Sequence, residues 1–317
     1  RRLAIYAVLN EVLKTLDILI HPFCPFTSEH LYQTVFEGEK SILLDKWPQY
    51  KESLVNEEIE ESFDIMKDVV SISSAARMKG KLKRRWPLNE AKICVKKDQK
   101  IKLESLSNLL KSQLNVEKFN IVETEKESGL EQLLELKELG LPVKPTLELE
   151  RKKIGPKAKQ HMGKLVNVFS ETNPQEIITS IQKDGKYDFK IDNEIISLDK
   201  EDFTIDFDSE DNFAAAKRDG FIVFISTLRN KEMMAKGLVK DIARRLQTLR
   251  KEKGYNPTDV LEVASILELD NESLEMIKER KEELAFLVRV KKVNFEKLCK
   301  EYKEDDIDGQ KIKISVE

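Results

Sequence analysis

The chain has 317 residues, 40% hydrophobic and 36% charged, a length that suits two or three domains. Its 55 basic and 58 acidic residues leave a net charge of −3, which argues against a uniformly basic protein that coats nucleic acid. Three distant cysteines without a CxxC pair offer neither a disulfide framework nor a zinc site, and they suit a reducing, cytoplasmic compartment. No apolar run is long enough to predict a membrane span.

The first ninety residues predict helices. Apolar residues recur every three or four positions from Leu3 to Ile20, and Pro22 and Pro25 end that helix. A shorter helix follows Thr27, an extended piece covers residues 41–48, and a long helix begins near Asn56. Because each helix must cover an apolar stripe, we expect a helical bundle. The start in mid-helix, without an initiator methionine, indicates a piece of a longer protein.

Short strands and helices alternate after Trp86, which predicts an α+β fold for the rest of the chain. Hairpins are expected at Asp192-Asn193 and Asp219-Gly220. Strands are expected at residues 91–95, 116–123, 146–150, 260–269 and 288–295, and helices at 102–114, 130–139, 155–169, 174–181, 231–253 and 272–287. No internal repeat is visible. We predict a helical domain over residues 1–88 and an α+β domain over 89–317, with 89–150 and 151–317 as two candidate subdomains.

Enzyme signatures are missing from the sequence. A phosphate-binding loop, a nucleophile elbow and an HExxH motif are all absent, and the three histidines are isolated. The acidic run of residues 201–211 lacks the loop glycine of an EF-hand, so we interpret it as a solvated acidic face. We therefore predict no catalytic residue, no bound metal and no cofactor in this chain.

A basic cluster lies between residues 77 and 85. It contains six positive charges and no acid: Arg77, Lys79, Lys81, Lys83, Arg84 and Arg85. The alternation at positions 79, 81 and 83 would place three lysines on one side of an extended strand. Single-stranded RNA needs cations for its phosphates and flat faces for its bases. The candidate phosphate contacts are Lys79, Lys81, Lys83 and Arg84, and Trp86 is a stacking candidate, although packing at a domain junction is the favoured role of its ring.

A second basic cluster lies on the long helix predicted at residues 231–253. Nine basic and three acidic residues between Arg229 and Lys253 give a net charge of +6. A helix with an apolar stripe and a basic face is suited to bind a phosphate backbone. The alternative interpretation, that the lysines only keep the helix soluble, is equally well supported. The weaker candidate contacts are Arg244, Arg245, Arg250 and Lys251. Arg245 and Arg250 are near the stripe, which leaves open that they are tied into the domain.

Several motifs together resemble one family. Residues 21–32 (HPFCPFTSEHLY) are similar to the P-x-x-P-F-x-x-E-x-x-Y helix pair of class I aminoacyl-tRNA synthetase anticodon-binding domains. Residues 75–77 (AAR) and 81–88 (KLKRRWPL) resemble a stretch of isoleucyl-tRNA synthetases of the archaeal and eukaryotic type. Residues 241–251 (DIARRLQTLRK) and 257–259 (PTD) resemble their C-terminal helix and strand.

The resemblance implies a C-terminal fragment, composed of the anticodon-binding bundle and the appended C-terminal domain. The family's two ATP-site signatures, its nucleotide-binding fold and its editing domain are absent from this sequence. The parent would be an isoleucine–tRNA ligase that uses ATP, whereas the fragment alone should be inactive. Its implied partners are isoleucine tRNA and the catalytic and editing domains of the parent chain, with no membrane and no DNA.

Two other interpretations stay open at this point. The chain could be a protein-interaction or oligomerisation module of a synthetase. Within the family, the parent could be of the valyl or leucyl type, because the P-F-x-x-E pattern is shared with those relatives.

Overall fold

The computed structural model describes residues 2–36, 41–192, 194–297, 299, 301–307 and 309–317. The chain divides into two compact units, Arg1–Glu57 and Glu58–Glu317, which are described separately. Among the described residues, no helix is both long and apolar enough to cross a lipid bilayer.

The N-terminal unit is helical. Helix α1 spans Arg2–Ile20 and helix α2 spans Pro25–Val35, with Pro25 in the first turn, where a missing N–H costs nothing. The extended piece expected at residues 41–48 instead contains a short 3₁₀ turn at Ile42–Leu44, because the Ser41 side chain accepts the Leu43 N–H. Ile18, Tyr32 and Ile42 form a small buried cluster.

The second unit begins with a sheet packed on helix α3, Glu57–Lys79. The elements that follow are β1 (Leu88–Val95), α4 (Lys97–Ser105), α5 (Ser107–Leu114) and β2 (Val116–Glu123), with β7 (Phe213–Arg218) and β8 (Phe221–Ser226) much later in the chain. The sheet order is β2-β1-β8-β7, and β1 pairs parallel with β2. The buried face of α3, which includes Ile65, Val69 and Ile72, packs into the core of this sheet.

A separate subregion occupies the connection between β2 and β7, and we call residues 124–212 the insertion. Its elements are α6 (Gly129–Glu138), β3 (Val143–Leu149), α7 (Arg151–Ala158), α8 (Met162–Glu171), α9 (Pro174–Asp184), β4 (Lys186–Ile191), β5 (Glu194–Asp199) and β6 (Phe203–Ser209). Strand β3 pairs antiparallel with β6, and β4 pairs with β5. The acidic run of residues 201–211 is largely strand β6, whose Phe203 and Ile205 enter the core. Its acids Glu201, Asp208, Glu210 and Asp211 are exposed, in agreement with a solvated acidic face, whereas Asp202 is buried.

The rest of the chain forms a third core. Its elements are α10 (Lys231–Glu252), β9 (Leu261–Leu267), α11 (Asn271–Glu279), α12 (Lys281–Val288), β10 (Val290–Asn294), β11 (Lys303–Ile307) and β12 (Gln310–Val316). The sheet order is β10-β9-β12-β11, with β9 and β10 parallel. The expected strands up to residue 295 are present, but the helices expected at 102–114, 155–169 and 272–287 are each divided into two. Strands β6, β11 and β12 were not predicted, although Ile312, Ile314 and Val316 alternate as in a strand.

The two four-stranded sheets are copies of one module, which corrects the expectation of no internal repeat. Each copy has a long helix, a strand, two short helices, a parallel strand and an antiparallel hairpin, with identical strand order. The first copy comprises residues 57–226 without the insertion, and the second comprises residues 231–316. Asn115 and Arg289 occupy the same left-handed position before the parallel strand, at φ 50° and 57°. Few side chains are identical at equivalent positions of the two copies, so the repeat is not visible in the sequence.

The predicted fold class, N-terminal helices followed by an α+β region, is confirmed. A boundary at residue 150 would separate β3 from β6, with which it pairs from Val143 to Leu149. The second unit has three buried clusters, one within the first copy, one that joins the insertion to the first copy, and one within the second copy. Independent folding of residues 1–88 and 89–317 stays a prediction.

Candidate nucleic-acid interface

The first basic cluster lies on a tight turn after α3, and we call residues 79–86 the basic turn. Lys79 ends the helix, and Lys81 has a left-handed backbone with φ 52°. Leu82 returns to donate its N–H to the Arg77 carbonyl at 2.8 Å. The expectation of an extended strand with three lysines on one side is therefore wrong. The buried side chains of Leu82 and Trp86 fold this segment back onto the core.

Arg77 holds the basic turn from beneath. Its side chain is 4% exposed and donates four hydrogen bonds to backbone carbonyls. The acceptors are Lys83 O (3.0 Å), Trp86 O (3.0 Å), Leu114 O (2.9 Å) and Asn115 O (3.2 Å). Burial, followed by the positive charges of Arg229 and Arg84, lowers the pKa of Arg77 to about 10, so it stays charged at neutral pH. Its bonds to the Lys83 and Trp86 carbonyls therefore fix the backbone of the turn.

Three of the four first-ranked candidates are exposed on this turn. Lys79, Lys81 and Arg84 have no ion pair within the described ranges, and neither has their exposed neighbour Arg85. The Asn115 side chain donates to the carbonyls of Arg84 and Arg85, which fixes the backbone beneath both cations. The turn therefore presents four positive charges that no acid of the described structure neutralises.

Lys83 and Trp86 face the second copy. The Lys83 ammonium lies 3.0 Å from the Asp241 carboxylate and 5.1 Å from the Trp86 ring centroid. Trp86 is 6% exposed, its indole N–H donates to Asp241 at 2.8 Å, and its ring packs against Gly237. This placement corrects the stacking hypothesis, because burial leaves the ring no open face for a base. The junction role of Trp86 is the one that the structure has.

The second basic cluster also contains both exposed cations and cations bound within the fold. Arg244 and Lys251 are exposed on α10, and no ion pair of theirs occurs in the part of the chain that the structure describes. Arg245 is half-buried, lies 3.3 Å from the Asp305 carboxylate and donates to the Asp306 carbonyl, which ties it to β11. An internal ion pair competes with a phosphate contact, so Arg245 leaves the candidate set.

Arg250 is a buried arginine like Arg77, not a surface contact. It is 6% exposed and donates to the carbonyls of Val288, Arg289 (3.3 Å), Asn256 (3.2 Å) and Asp259 (2.7 Å). Two of these acceptors lie six and nine residues beyond the arginine, the offsets that Lys83 and Trp86 have from Arg77. The hypothesis that Arg250 contacts phosphate is corrected, because its guanidinium is buried and donates its hydrogen bonds to these carbonyls. Its position near the apolar stripe left open that it is tied into the domain, but the four acceptors were not predicted, because only the fold brings these carbonyls together.

Comparison with known proteins agrees with this geometry. Residues 1–93 match the family described as the anticodon-binding domain of tRNA ligases, a match that includes Arg77 and the basic turn. The chain is 27% identical to an isoleucine–tRNA ligase of Thermococcus kodakarensis, over 93% of this chain and 26% of that protein. This chain is similar to isoleucine–tRNA ligases over nearly its whole length.

The similarity extends through the second copy. The identity to an isoleucine–tRNA ligase of Methanothrix thermoacetophila is 27% over 99% of this chain, and that to one of Clostridium kluyveri is 28% over 98%. The chain spans 29% of the length of each of these two ligases. The resemblance carried by the motifs at residues 21–32, 81–88 and 241–251 is thereby confirmed. In the residues that the structure describes, no group of three or more metal-binding side chains is placed to hold an ion.

Proposed function

We propose that this chain binds the anticodon stem-loop of isoleucine tRNA, as part of a cytoplasmic ligase that uses ATP to attach isoleucine to that tRNA. The observation that carries the proposal is the match of residues 1–93 to an anticodon-binding domain, in a chain related over nearly its whole length to isoleucine–tRNA ligases. The named relatives favour this function over a protein-interaction module and over a valyl or leucyl parent.

The basic turn supplies the electrostatic part of the interface. Lys79, Lys81 and Arg84 would contact the phosphates of the stem-loop, and each neutralised phosphate releases bound counterions. Such contacts fix the position of the RNA without reading its sequence. Arg77 contributes indirectly, because its four bonds hold the turn in one conformation before the RNA arrives and so reduce the entropy lost on binding.

The mechanism under this proposal is positional. This chain would hold the anticodon end of the tRNA, while the catalytic and editing domains of the parent chain would act at the distant acceptor end. Arg244 and Lys251 on α10 would provide further phosphate contacts.

The proposal is tested by titrating the chain against an isoleucine tRNA transcript at several salt concentrations. A triple variant of the basic turn, Lys79→Ala, Lys81→Gly and Arg84→Ala, should weaken binding and lower the salt slope by about 2 to 3. Glycine is used at position 81 because it suits the left-handed backbone there.

The matched control removes three exposed lysines of the insertion, Lys152, Lys183 and Lys190. It carries the same loss of charge but should leave affinity and slope nearly unchanged. Failure of the native chain to bind the transcript, or equal losses in both triple variants, would contradict the proposal.

A further inference from the structure

The second copy contains a counterpart of the basic turn, and we call residues 253–259 the second turn. Gly254 has φ 79° where Lys81 has φ 52°, and each follows its buried arginine by four residues. Tyr255 donates its N–H to the Arg250 carbonyl at 3.1 Å, as Leu82 does to Arg77. The backbone of the two turns is therefore the same, so their different surfaces follow from their side chains.

The second turn borders a cavity of about 510 Å³. Its lining includes Lys251, Tyr255, Asn256, Pro257, Leu287 and Arg289. The first copy fills the corresponding positions with the buried side chains of Leu82 and Trp86, whereas Tyr255 and Asp259 at these positions are only half-buried. A volume of this size suits a ligand as large as one nucleotide.

The lining combines three kinds of group. Tyr255 and Pro257 supply flat, largely apolar surface of the kind on which a base stacks. The exposed Asn256 amide, whose side chain has no hydrogen bond within the described structure, offers both a donor and an acceptor for a base edge. The cations Lys251 and Arg289 are exposed, and no acid in the described ranges pairs with either.

We propose that this cavity binds one unstacked nucleotide of a single-stranded RNA loop. The base lies against Tyr255, the Asn256 amide contacts its edge, and Lys251 and Arg289 contact the flanking phosphates. Arg250 is a positioning residue, because its bonds to the Asn256 and Asp259 carbonyls shape the cavity wall. This inference rests on the proposed function, and it assigns to the second copy a site of base recognition that the basic turn lacks.

The charge of the cavity does not by itself distinguish RNA from an acidic peptide, but charge and cavity shape together favour RNA. Cations alone would serve either ligand, but a flat aromatic and proline surface beside an open amide fits a planar ring that carries its own donors and acceptors. The Asp259 carboxylate accepts the Asn256 backbone N–H at 2.8 Å and is therefore already engaged.

The test uses the 317-residue chain and isoleucine tRNA stem-loops in which 2-aminopurine replaces one loop base at a time. Stacking on Tyr255 should quench the fluorescence of 2-aminopurine at one loop position when the chain binds. Tyr255→Leu should remove this quenching and weaken binding by about 5- to 100-fold. Tyr255→Phe retains an aromatic face and should restore both signals. Thermal unfolding of both variants reports whether the fold is kept, since Tyr255 packs on the third core.

The outcomes separate this inference from the proposed function. Tight binding by the native chain that is weakened by the basic-turn triple variant but unchanged in Tyr255→Leu and Lys251→Gln would overturn the second site alone. Quenching that Tyr255→Phe fails to restore would also overturn it. If the native chain fails to bind any stem-loop, both proposals are wrong.

Discussion

The two copies of the module share a scaffold and differ in what they add to it. In both, an arginine in the last turn of the long helix binds four carbonyls, and a leucine eleven residues later begins the central strand. Around that scaffold the first copy carries an exposed cationic turn, while the second carries a cavity. The carbonyl-binding arginine therefore preserves the backbone of the turn in both copies, whereas the side chains of the turn differ between them.

The connections after the parallel strands differ even more. In the first copy, the insertion of residues 124–212 lies between β2 and β7, and its core around Leu133, Ile177 and Phe189 is shared with Ala215 and Phe224 of the sheet. In the second copy, only residues 295–302 separate β10 from β11. A surface connection tolerates such growth because the entropy of closing a loop rises slowly with its length.

The strongest test of the comparison removes the two buried arginines. Arg77→Leu and Arg250→Leu should each lower the free energy of unfolding by about 3 kcal/mol or more, because buried carbonyls lose their donors. Denaturation by guanidinium chloride measures both losses. Arg244→Leu, an exposed position on α10, should change stability by about 0.5 kcal/mol or less. A large loss in only one copy would show that the two arginines are not equivalent.

The contact between the copies is tested at Gly237. A methyl group there would overlap the Trp86 ring, so Gly237→Ala should destabilise the chain by about 1–3 kcal/mol despite the better helix propensity of alanine. Gly163 in α8 has open space around it, and Gly163→Ala should instead stabilise by up to about 1 kcal/mol. Thermal unfolding of both variants checks the sign, and a gain in both would mean that the ring gives way without cost.

The left-handed position of each turn provides a reciprocal pair of substitutions. Gly254→Ala should cost about 1 kcal/mol, since its new methyl group meets nothing and only the backbone conformation is penalised. Lys81→Gly should be neutral or stabilising by up to about 1 kcal/mol, because it relieves that penalty in the first copy. Unfolding of the two single variants gives the comparison. Changes of equal sign would contradict the equivalence of the turns.

Acid should weaken the link between the copies. Burial raises the pKa of Asp241, but the hydrogen bonds from Trp86 and Lys83, with the charge of Lys83, together hold it below the ordinary value of 3.8. Because the folded pKa lies below the unfolded one, this stabilisation is complete above about pH 4 and is lost as pH falls through the folded pKa.

The readout of that prediction is the fluorescence of Trp86 in a Trp47→Phe background, since the chain has two tryptophans. The signal should change below about pH 4 as Asp241 becomes protonated. The Asp241→Asn variant should show no such change in fluorescence. If the variant shows the same change, another carboxylate is responsible for it.

Much of the fold could be predicted because hydrophobic periodicity is a local property. The strand at residues 116–123 and the hairpin at Asp219-Gly220 follow from alternation and turn chemistry alone. The repeat could not be predicted, because Arg77 and Arg250 bind carbonyls from distant segments, near residues 115 and 289. Among the candidates, exposure separates Lys79, Lys81, Arg84, Arg244 and Lys251 from the rest.

Sequence by itself determined most of the helices and strands, the two basic clusters and the resemblance to isoleucine–tRNA ligases, because each depends on residues that are close together in the chain. Only the tertiary structure decided which cations face solvent. Arg77, Arg250 and Lys83 carry the same charge as their exposed neighbours, yet the fold supplies them with carbonyls or a carboxylate. A charged group that enters a folded protein must exchange water for internal partners, and those partners come from parts of the chain that only folding brings near.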